Sequence, residues 1–171
     1  MSNLLEYGQT PTVTDERKGN PVTRIFVDGD ACPVKNEILK VAARFDIEVY
    51  LVSNQWLRMP VGPNVHKQVV AEGADAADDW IVDNIEPGDL AITSDIPLAS
   101  RCLEKGADAL GPTGKAFTRE NIGMALAMRD LKSQLRETGV DRGFNASFTA
   151  RDKSSFLNTI DKMLVQLMKN N

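Results

Sequence analysis

The chain has 171 residues, of which 42% are hydrophobic, and a formal net charge of -4. This length and composition predict one globular domain with a sizeable core. No stretch approaches the roughly 18 consecutive apolar residues of a membrane span, and the N-terminus lacks the basic start and apolar run of a secretory signal. Two cysteines outside a CxxC motif and a single histidine exclude a standard zinc site. We therefore expect a cytoplasmic protein with free thiols and no membrane partner.

Charge is distributed unevenly along the chain. Residues 1–111 carry 10 Lys+Arg and 18 Asp+Glu, a net charge of -8, whereas residues 112–171 carry 10 and 6, a net charge of +4. Such asymmetry fits an acidic site beside a basic surface that approaches an anionic substrate. Chance would produce it as well, so no function is assigned on charge alone.

Hydrophobic periodicity predicts the order of the secondary-structure elements. Residues 1–22 have no period and read as a disordered lead-in, which leaves a single domain over residues 23–171. Strands are predicted at 24–28, 47–53, 64–70, 89–94 and 107–110, with helices at 33–45, 75–85 and 96–106 between them. This alternation predicts an α/β fold in three layers, with a mainly parallel sheet between helices.

Two helices are predicted in the C-terminal part, at 117–137 and 149–169, joined by a Gly-rich loop. Thr118 is the expected N-cap of the first, and Thr149 and Asp152 stand at capping-box spacing in the second. Each helix has an apolar stripe that predicts a core face. In the first, this core stripe comprises Met124, Ala127, Met128, Leu131 and Leu135, and it lies beside a basic stripe of Arg129, Lys132 and Arg136. The basic stripe could contact phosphates, although a solvated face is the commoner reading.

Carboxylates follow two predicted strands and open one predicted helix. Asp28 and Asp30 end the first strand in "RIFVDGD", Asp95 ends "DLAITSD", and "DAADDW" contributes Asp75, Asp78 and Asp79. Because ligands of an open parallel sheet bind at the carboxyl ends of its strands, these groups could share one pocket. Ordinary helix caps and N-terminal charges would explain each of them singly.

A joint pocket of carboxylates would be strongly self-repelling unless a hard cation neutralised it. Mg²⁺ or Mn²⁺ is therefore the predicted cofactor, with Asp28, Asp75, Asp78, Asp79 and Asp95 as candidate ligands. Such an ion can activate water against a phosphodiester. The same edge offers six candidate substrate-binding residues: Asp30, Lys35, Ser53, Asn54, Thr93 and Ser94.

Cys32 precedes Pro33 at the start of the helix predicted at 33–45, with Pro33 at the first helical position. A helix N-terminus is expected to lower the pKa of a thiol. No histidine stands nearby in sequence to act as a base, so structural packing is the preferred role for Cys32.

Four motifs resemble the YaiI/YqxD family of bacterial proteins: "VDGDACPVKNEIL", "DAADDWIVDNI", "GDLAITSDIPLASRCLEKGADAL" and "ENIGMALAMRDLKSQLRE". The resemblance implies a PIN-like, Rossmann-like nuclease fold. It assigns the first acidic position to Asp28, the helical pair to Asp75 with Asp78 or Asp79, and a strand-end motif to Thr93-Ser94-Asp95. The family usually has Asp-Ala-Asp where this chain has Asp28-Gly29-Asp30, and its Pro-Arg-Gly and Thr-Gly-Gly-Pro loops are altered here.

Three functions remain open from the sequence. The first is a metal-dependent phosphodiesterase acting on nucleic acid, RNA rather than DNA, with Asp28, Asp75, Asp78 and Asp95 as catalytic carboxylates and water as nucleophile. The second is a haloacid-dehalogenase-like phosphatase with Asp28 as nucleophile, although Cys32 replaces the expected Thr or Val. The third is a non-catalytic RNA- or nucleotide-binding regulator. The oligomeric state, monomer or homodimer, is not determined by the sequence.

Overall fold

The computed structural model describes residues 22–30, 32–73, 75–139 and 147–170. The disordered segment predicted at 1–22 lies outside these residues except for Val22. The strands are β1 (Arg24–Asp28), β2 (Glu48–Ser53), β3 (Val65–Val69), β4 (Leu90–Ile92), β5 (Asp108–Leu110) and β6 (Ala116–Phe117). The helices are α1 (Lys35–Phe45), α2 (Ala76–Asn84), α3 (Ile96–Glu104), α4 (Ile122–Glu137) and α5 (Ala150–Asn170).

The described strands form one sheet in the order β3-β2-β1-β4-β5-β6. All neighbouring pairs are parallel except β5 and β6, which pair antiparallel. The prediction of a three-layer α/β fold with a mainly parallel sheet is confirmed. The strand β6 was not predicted, because two residues are too few to show a strand period.

Alternating residues of the sheet feed two separate hydrophobic cores. On one face, Ile25 and Val27 of β1 pack with residues of α1 and α5, including Ile38 and Phe156. On the other face, Phe26 packs with residues of α2 and α3. Successive side chains of a strand point to opposite faces, so each central strand is buried on both sides.

A buried ion pair joins β1 and β4 at the opposite end of the strands from the candidate site. The guanidinium of Arg24 donates from Nη2 to Asp89 Oδ2 at 2.8 Å, and the Arg24 backbone N–H donates to Asp89 Oδ1 at 3.0 Å. Asp89 also accepts the N–H of Glu86 at 2.9 Å. These bonds offset the cost of burying both charges and hold the two strands in register.

Helix boundaries agree with the sequence where caps decide them and differ where a turn intervenes. Gly106 follows α3 with φ +86, as expected for a residue that ends a helix. The predicted capping box is present at α5, where Thr149 N–H donates to Asp152 Oδ2 and Asp152 N–H donates to Thr149 Oγ1. Pro33 is not the first helical residue, because it lies in a turn and α1 begins two residues later with Val34 as N-cap.

Helix α4 departs from the prediction of a core stripe. None of its residues is buried, and Met124, Met128 and Leu131 are 73%, 47% and 47% exposed. The predicted core stripe of α4 is therefore wrong. Met124 and Met128 line a groove instead of packing in the core. Thr118 is not the N-cap of α4, because residues 119–121 form a turn and Asn121 stands at the N-cap position. Thr118 stabilises this turn instead, where its Oγ1 accepts the N–H of Asn121 and its own N–H donates to Asn121 Oδ1.

The loop 111–114 between β5 and β6 is seated on α5. Gly114 has φ +91, and a Cβ on this residue would lie 2.6 Å from the carbonyl carbon of Ser155 and 2.8 Å from the backbone nitrogen of Phe156. Only glycine allows this close approach of two backbones. Within the described residues, no helix is both long enough and apolar enough to cross a membrane.

Candidate acidic site at the sheet edge

The order in which strands are added to the sheet reverses direction at β1. From β1 the sheet extends through β2 and β3 on one side and through β4 and β5 on the other. In open α/β sheets, the crevice at the carboxyl ends of the strands beside such a reversal is the usual ligand site. Asp28 ends β1, and Thr93, Ser94 and Asp95 follow β4, so the topology brings these residues to the expected place.

Thr93 connects the two strand ends. Its buried hydroxyl donates to Asp28 Oδ2 at 3.0 Å and accepts the backbone N–H of Asp95 at 2.9 Å. The Asp95 carboxylate in turn accepts the N–H of Leu98 at 3.0 Å and caps α3. One hydroxyl thus fixes the Asp28 carboxylate relative to the backbone that carries Asp95.

The acidic residues at the start of helix α2 have different surroundings. Asp79 is exposed and pairs with Arg101 of α3 at 3.0 Å. Burial, followed by the charges of Asp95, Asp28 and Asp75, raises the pKa of Asp78 from 3.8 to about 6. The Asp78 carboxylate is therefore within electrostatic reach of the strand-end carboxylates, whereas Asp79 has a cationic partner. Asp75 stands at the N-cap position but makes no capping hydrogen bond, so a cap role does not account for it.

Burial is also the largest influence on Asp28. It raises the pKa of this carboxyl, the Thr93 hydroxyl lowers it, and Asp95 and Asp30 raise it further. Mutual repulsion among partly buried carboxylates is the signature of a negative pocket without sufficient cationic compensation. Among the described residues, no three His, Cys, Asp or Glu side chains are arranged to hold a metal ion together.

The remaining substrate-binding candidates are engaged in the loops around this edge. The Asp30 carboxylate accepts the backbone N–H of Asn54 at 3.2 Å, and Lys35 Nζ donates to the Gly29 carbonyl at 2.8 Å. The Ser53 hydroxyl donates to the carbonyl of Gln55. The Asp30 bond ties the turn after β1 to the turn after β2. Lys35 and Ser53 each stabilise one of these turns, so the described hydrogen bonds of all three residues are structural. Ser94 is exposed.

Gly29 lies between the two aspartates and continues the pairing of β1. Its N–H donates to the Val52 carbonyl at 2.8 Å. A Cβ on Gly29 would lie 3.1 Å from the same Val52 oxygen. An alanine in this position would therefore require a small shift of the neighbouring strand.

Cys32 lies beside the acidic site in a small cavity that also includes Asp28, Thr93 and Ser94. The expectation of a lowered pKa is wrong for this thiol. Burial is the largest influence and raises the pKa of Cys32, and Asp28 and Glu37 add to the increase, against lowering by a backbone hydrogen bond and Lys35. The thiol form is favoured, in agreement with a packing role.

Sequence reasoning missed two contributors to this region. The sequence gives Arg101 no role beyond helix α3, although its guanidinium pairs with Asp79, one of the three candidate carboxylates at the start of α2. Pro112 lines the small cavity with Asp28 and also lines the groove along α4. The Gly-Pro-Thr-Gly loop was visible in the sequence, but its position against the strand ends depends on the sheet order.

Comparison with known proteins identifies a family and curated relatives. Residues 26–166 match a family model described as "Uncharacterized BCR, YaiI/YqxD family". A UPF0178 protein of Mesorhizobium japonicum, mlr0875, is 54% identical over 149 residues, which cover 87% of this chain and 96% of that protein. The UPF0178 protein R01393 of Rhizobium meliloti is 54% identical over 139 residues, 81% of this chain and 95% of that protein. No solved structure matches the chain.

Proposed function

The chain belongs to the YaiI/YqxD family, and we propose that it is a divalent-metal-dependent phosphodiester hydrolase that acts on RNA in preference to DNA. The supporting observation is the environment of Asp78, where burial, followed by the charges of Asp95, Asp28 and Asp75, raises the pKa to about 6. These residues are among those that the resemblance to PIN-like nuclease domains selects. Asp28 ends strand β1 and Asp95 follows strand β4, beside the point where the strand order reverses. Open α/β sheets usually bind ligands at such a point.

The donor set is compatible with Mg²⁺ or Mn²⁺, since every candidate ligand offers carboxylate oxygen. Mg²⁺ commonly binds through one or two carboxylates and keeps several of its waters. Such binding does not require three direct protein ligands. The described residues contain no group of three His, Cys, Asp or Glu side chains already arranged around one ion. In this proposal Asp28, Asp78 and Asp95 hold the ion directly or through water, with Asp75 adding negative charge and Asp79 diverted to Arg101.

A bound cation would supply stabilisation of the charge that develops on a phosphodiester oxygen. The chain itself contributes orientation. Thr93 fixes Asp28 by its hydroxyl, and the Leu98 N–H fixes Asp95. Held carboxylates lose little conformational freedom when substrate and cation arrive, so the site is preorganised for charge stabilisation. Water is the proposed nucleophile, because the nearby Cys32 favours its thiol form.

Cleavage of end-labelled single-stranded RNA and DNA of the same sequence tests this proposal, with Mg²⁺, Mn²⁺ or EDTA in parallel. The proposal predicts metal-dependent RNA cleavage that Asp28→Asn, Asp78→Asn and Asp95→Asn each reduce at least about 100-fold, the scale on which removal of one stabilising group acts in enzymes. Asparagine is a good helix N-cap, so Asp95→Asn is expected to keep α3 intact. Asp79→Asn is the matched control on α2 and is expected to retain activity.

Failure to cleave either nucleic acid with either metal would overturn the hydrolase proposal. Equal activity of wild type and all three site variants would assign the cleavage to a contaminant. Isothermal titration with Mn²⁺ provides a second readout, because loss of cation binding in folded Asp95→Asn separates a working site from an inactive remnant. Phosphate trapped on Asp28 after incubation with a phosphomonoester would instead support the phosphatase alternative.

A further inference from the structure

A groove lies between α4 and the carboxyl edge of β4 and β5. Its volume is about 690 Å³, within the range of pockets that enclose organic ligands. Its described lining includes four basic residues, Lys115, Arg129, Lys132 and Arg136, and one acidic residue, Glu120. The groove therefore carries a net positive charge, although the chain as a whole is acidic.

The groove adjoins the small cavity at Asp28. Ser94 and Pro112 line both the groove and the small cavity that contains Asp28. The Gly111–Gly114 loop that forms part of the wall is held internally by Gly111 N–H to the Lys115 carbonyl at 2.8 Å. A ligand that lies along α4 would therefore reach Asp28 past Ser94 and Pro112.

The chemistry of the lining is mixed in a way that matches an unpaired nucleic acid. Arg129, Lys132 and Arg136 are spaced three and four residues apart, so they follow one face of α4 over about 10 Å at 1.5 Å per residue. Met124 and Met128 line the same groove and are exposed. Methionine side chains adapt to flat apolar surfaces such as base faces, which a duplex hides in its stack.

We propose that this groove binds the backbone of a single-stranded nucleic acid and leads it to the acidic edge. Lys115, Arg129, Lys132 and Arg136 contact phosphates, and the two methionines contact bases. The inference rests on the proposed function for the reaction at Asp28, but the binding itself requires no hydrolysis. Positive charge beside a negative pocket also explains how an acidic protein approaches a polyanion, since the basic groove captures the strand and the pocket receives one phosphate.

Binding is measured by fluorescence anisotropy of a fluorescein-labelled 12-nucleotide oligouridylate in EDTA at several NaCl concentrations. Each phosphate contact to a single strand contributes about -0.7 to the slope of log K against log[salt]. Four contacts predict a slope near -3 and a roughly 50-fold loss of affinity between 50 and 200 mM salt. The triple variant Arg129→Ala/Lys132→Ala/Arg136→Ala is expected to flatten that slope by about 2 and to bind at least about 10-fold more weakly at 50 mM.

The matched control removes the same number of positive charges from exposed positions on α5. Arg151→Ala/Lys162→Ala/Lys169→Ala changes the net charge equally but lies outside the groove lining, so it should keep the slope and most of the affinity. Equal weakening by both triple variants would overturn the groove proposal in favour of nonspecific attraction. Unchanged binding by the α4 triple variant would also overturn it, even if the protein cleaves RNA.

Binding without cleavage would separate this inference from the hydrolase proposal. Groove-dependent binding without cleavage in Mg²⁺ or Mn²⁺ keeps the groove and removes the reaction. Sedimentation of wild type and Met124→Glu/Met128→Glu tests the competing occupant, a second copy of this chain. A dimer that dissociates in this variant, with no effect of the α4 triple variant on RNA affinity, would make α4 a subunit interface and refute the proposal.

Discussion

Replacement of Asp78 by asparagine is expected to stabilise the metal-free protein at neutral and alkaline pH. Asparagine is similar in size to aspartate, but it lacks the carboxyl group, whose pKa is raised to about 6 in the wild type. Burial is the largest cause of this pKa, and repulsion from Asp95, Asp28 and Asp75 adds to it. The substitution therefore removes an unfavourable charge while leaving the helix in place.

The magnitude follows from the difference between the folded and unfolded pKa values. Moving the pKa from 3.8 to about 6 corresponds to about 3 kcal/mol, at about 1.4 kcal/mol per pKa unit. Asp78 is partly exposed, and solvent screening reduces the expected gain to about 1–2 kcal/mol. The folded state binds this proton more tightly than the unfolded state, so wild type loses stability as pH rises from about 4 through 6. Below pH 4 both states are protonated, and the variant gains nothing.

Urea unfolding in EDTA at pH 4, 5, 6 and 8 measures this difference. The free energy of unfolding of Asp78→Asn minus that of wild type should rise through pH 4–6 and level off above it. Asp79→Asn is the control, because it removes a carboxylate paired with Arg101 and should give no gain at any pH. A difference that does not change with pH, or a carbon-13 NMR titration of Asp78 near pH 4, would refute the reasoning.

Three further predictions concern residues around the site. Thr93→Val removes the hydroxyl that bonds Asp28 and should lower the free energy of unfolding by about 1–2 kcal/mol, with Thr93→Ser as the conservative control in urea unfolding. Gly114→Ala places an alanine at a positive φ and in contact with the Ser155 backbone. The free energy of unfolding should fall by about 3 kcal/mol, which thermal unfolding would detect as a lower melting temperature. An unchanged melting temperature would contradict this contact. Cys32 should react with iodoacetamide at pH 7 more slowly than a free cysteine, because burial raises its pKa, and rapid alkylation of the native protein would disprove it.

Much of the fold was readable from local patterns. Strand and helix periods, Gly106 at the end of α3 and the Thr149–Asp152 capping box are short-range features, and the structure has them where the sequence places them. Alternation of strands and helices implied a parallel sheet, because right-handed crossovers leave few other arrangements. Strand β6 escaped this reasoning because a two-residue strand has no detectable period.

The site was only partly readable. Strand-end positions selected Asp28 and Asp95, but spacing could not separate Asp78 from Asp79, since both lie within one turn of Asp75 on α2. The partner of Asp79 is Arg101, a residue of the neighbouring helix. The environment of Cys32 was likewise misjudged, because proximity to a helix N-terminus is a local property and burial is not.

By itself, the sequence determined the order of the elements, the alternation that buries both sheet faces, and the carboxylates that end the strands, since each depends on neighbours a few residues apart. Which acidic residues influence one another's pKa, and whether the apolar stripe of α4 becomes core, were decided only in the tertiary structure. Hydrophobic periodicity shows that a helix has an apolar face but not what covers it. Met124 and Met128 of that face line a groove together with the basic residues Arg129, Lys132 and Arg136. What covers a helix face depends on contacts between distant parts of the chain, and local periodicity does not specify these contacts.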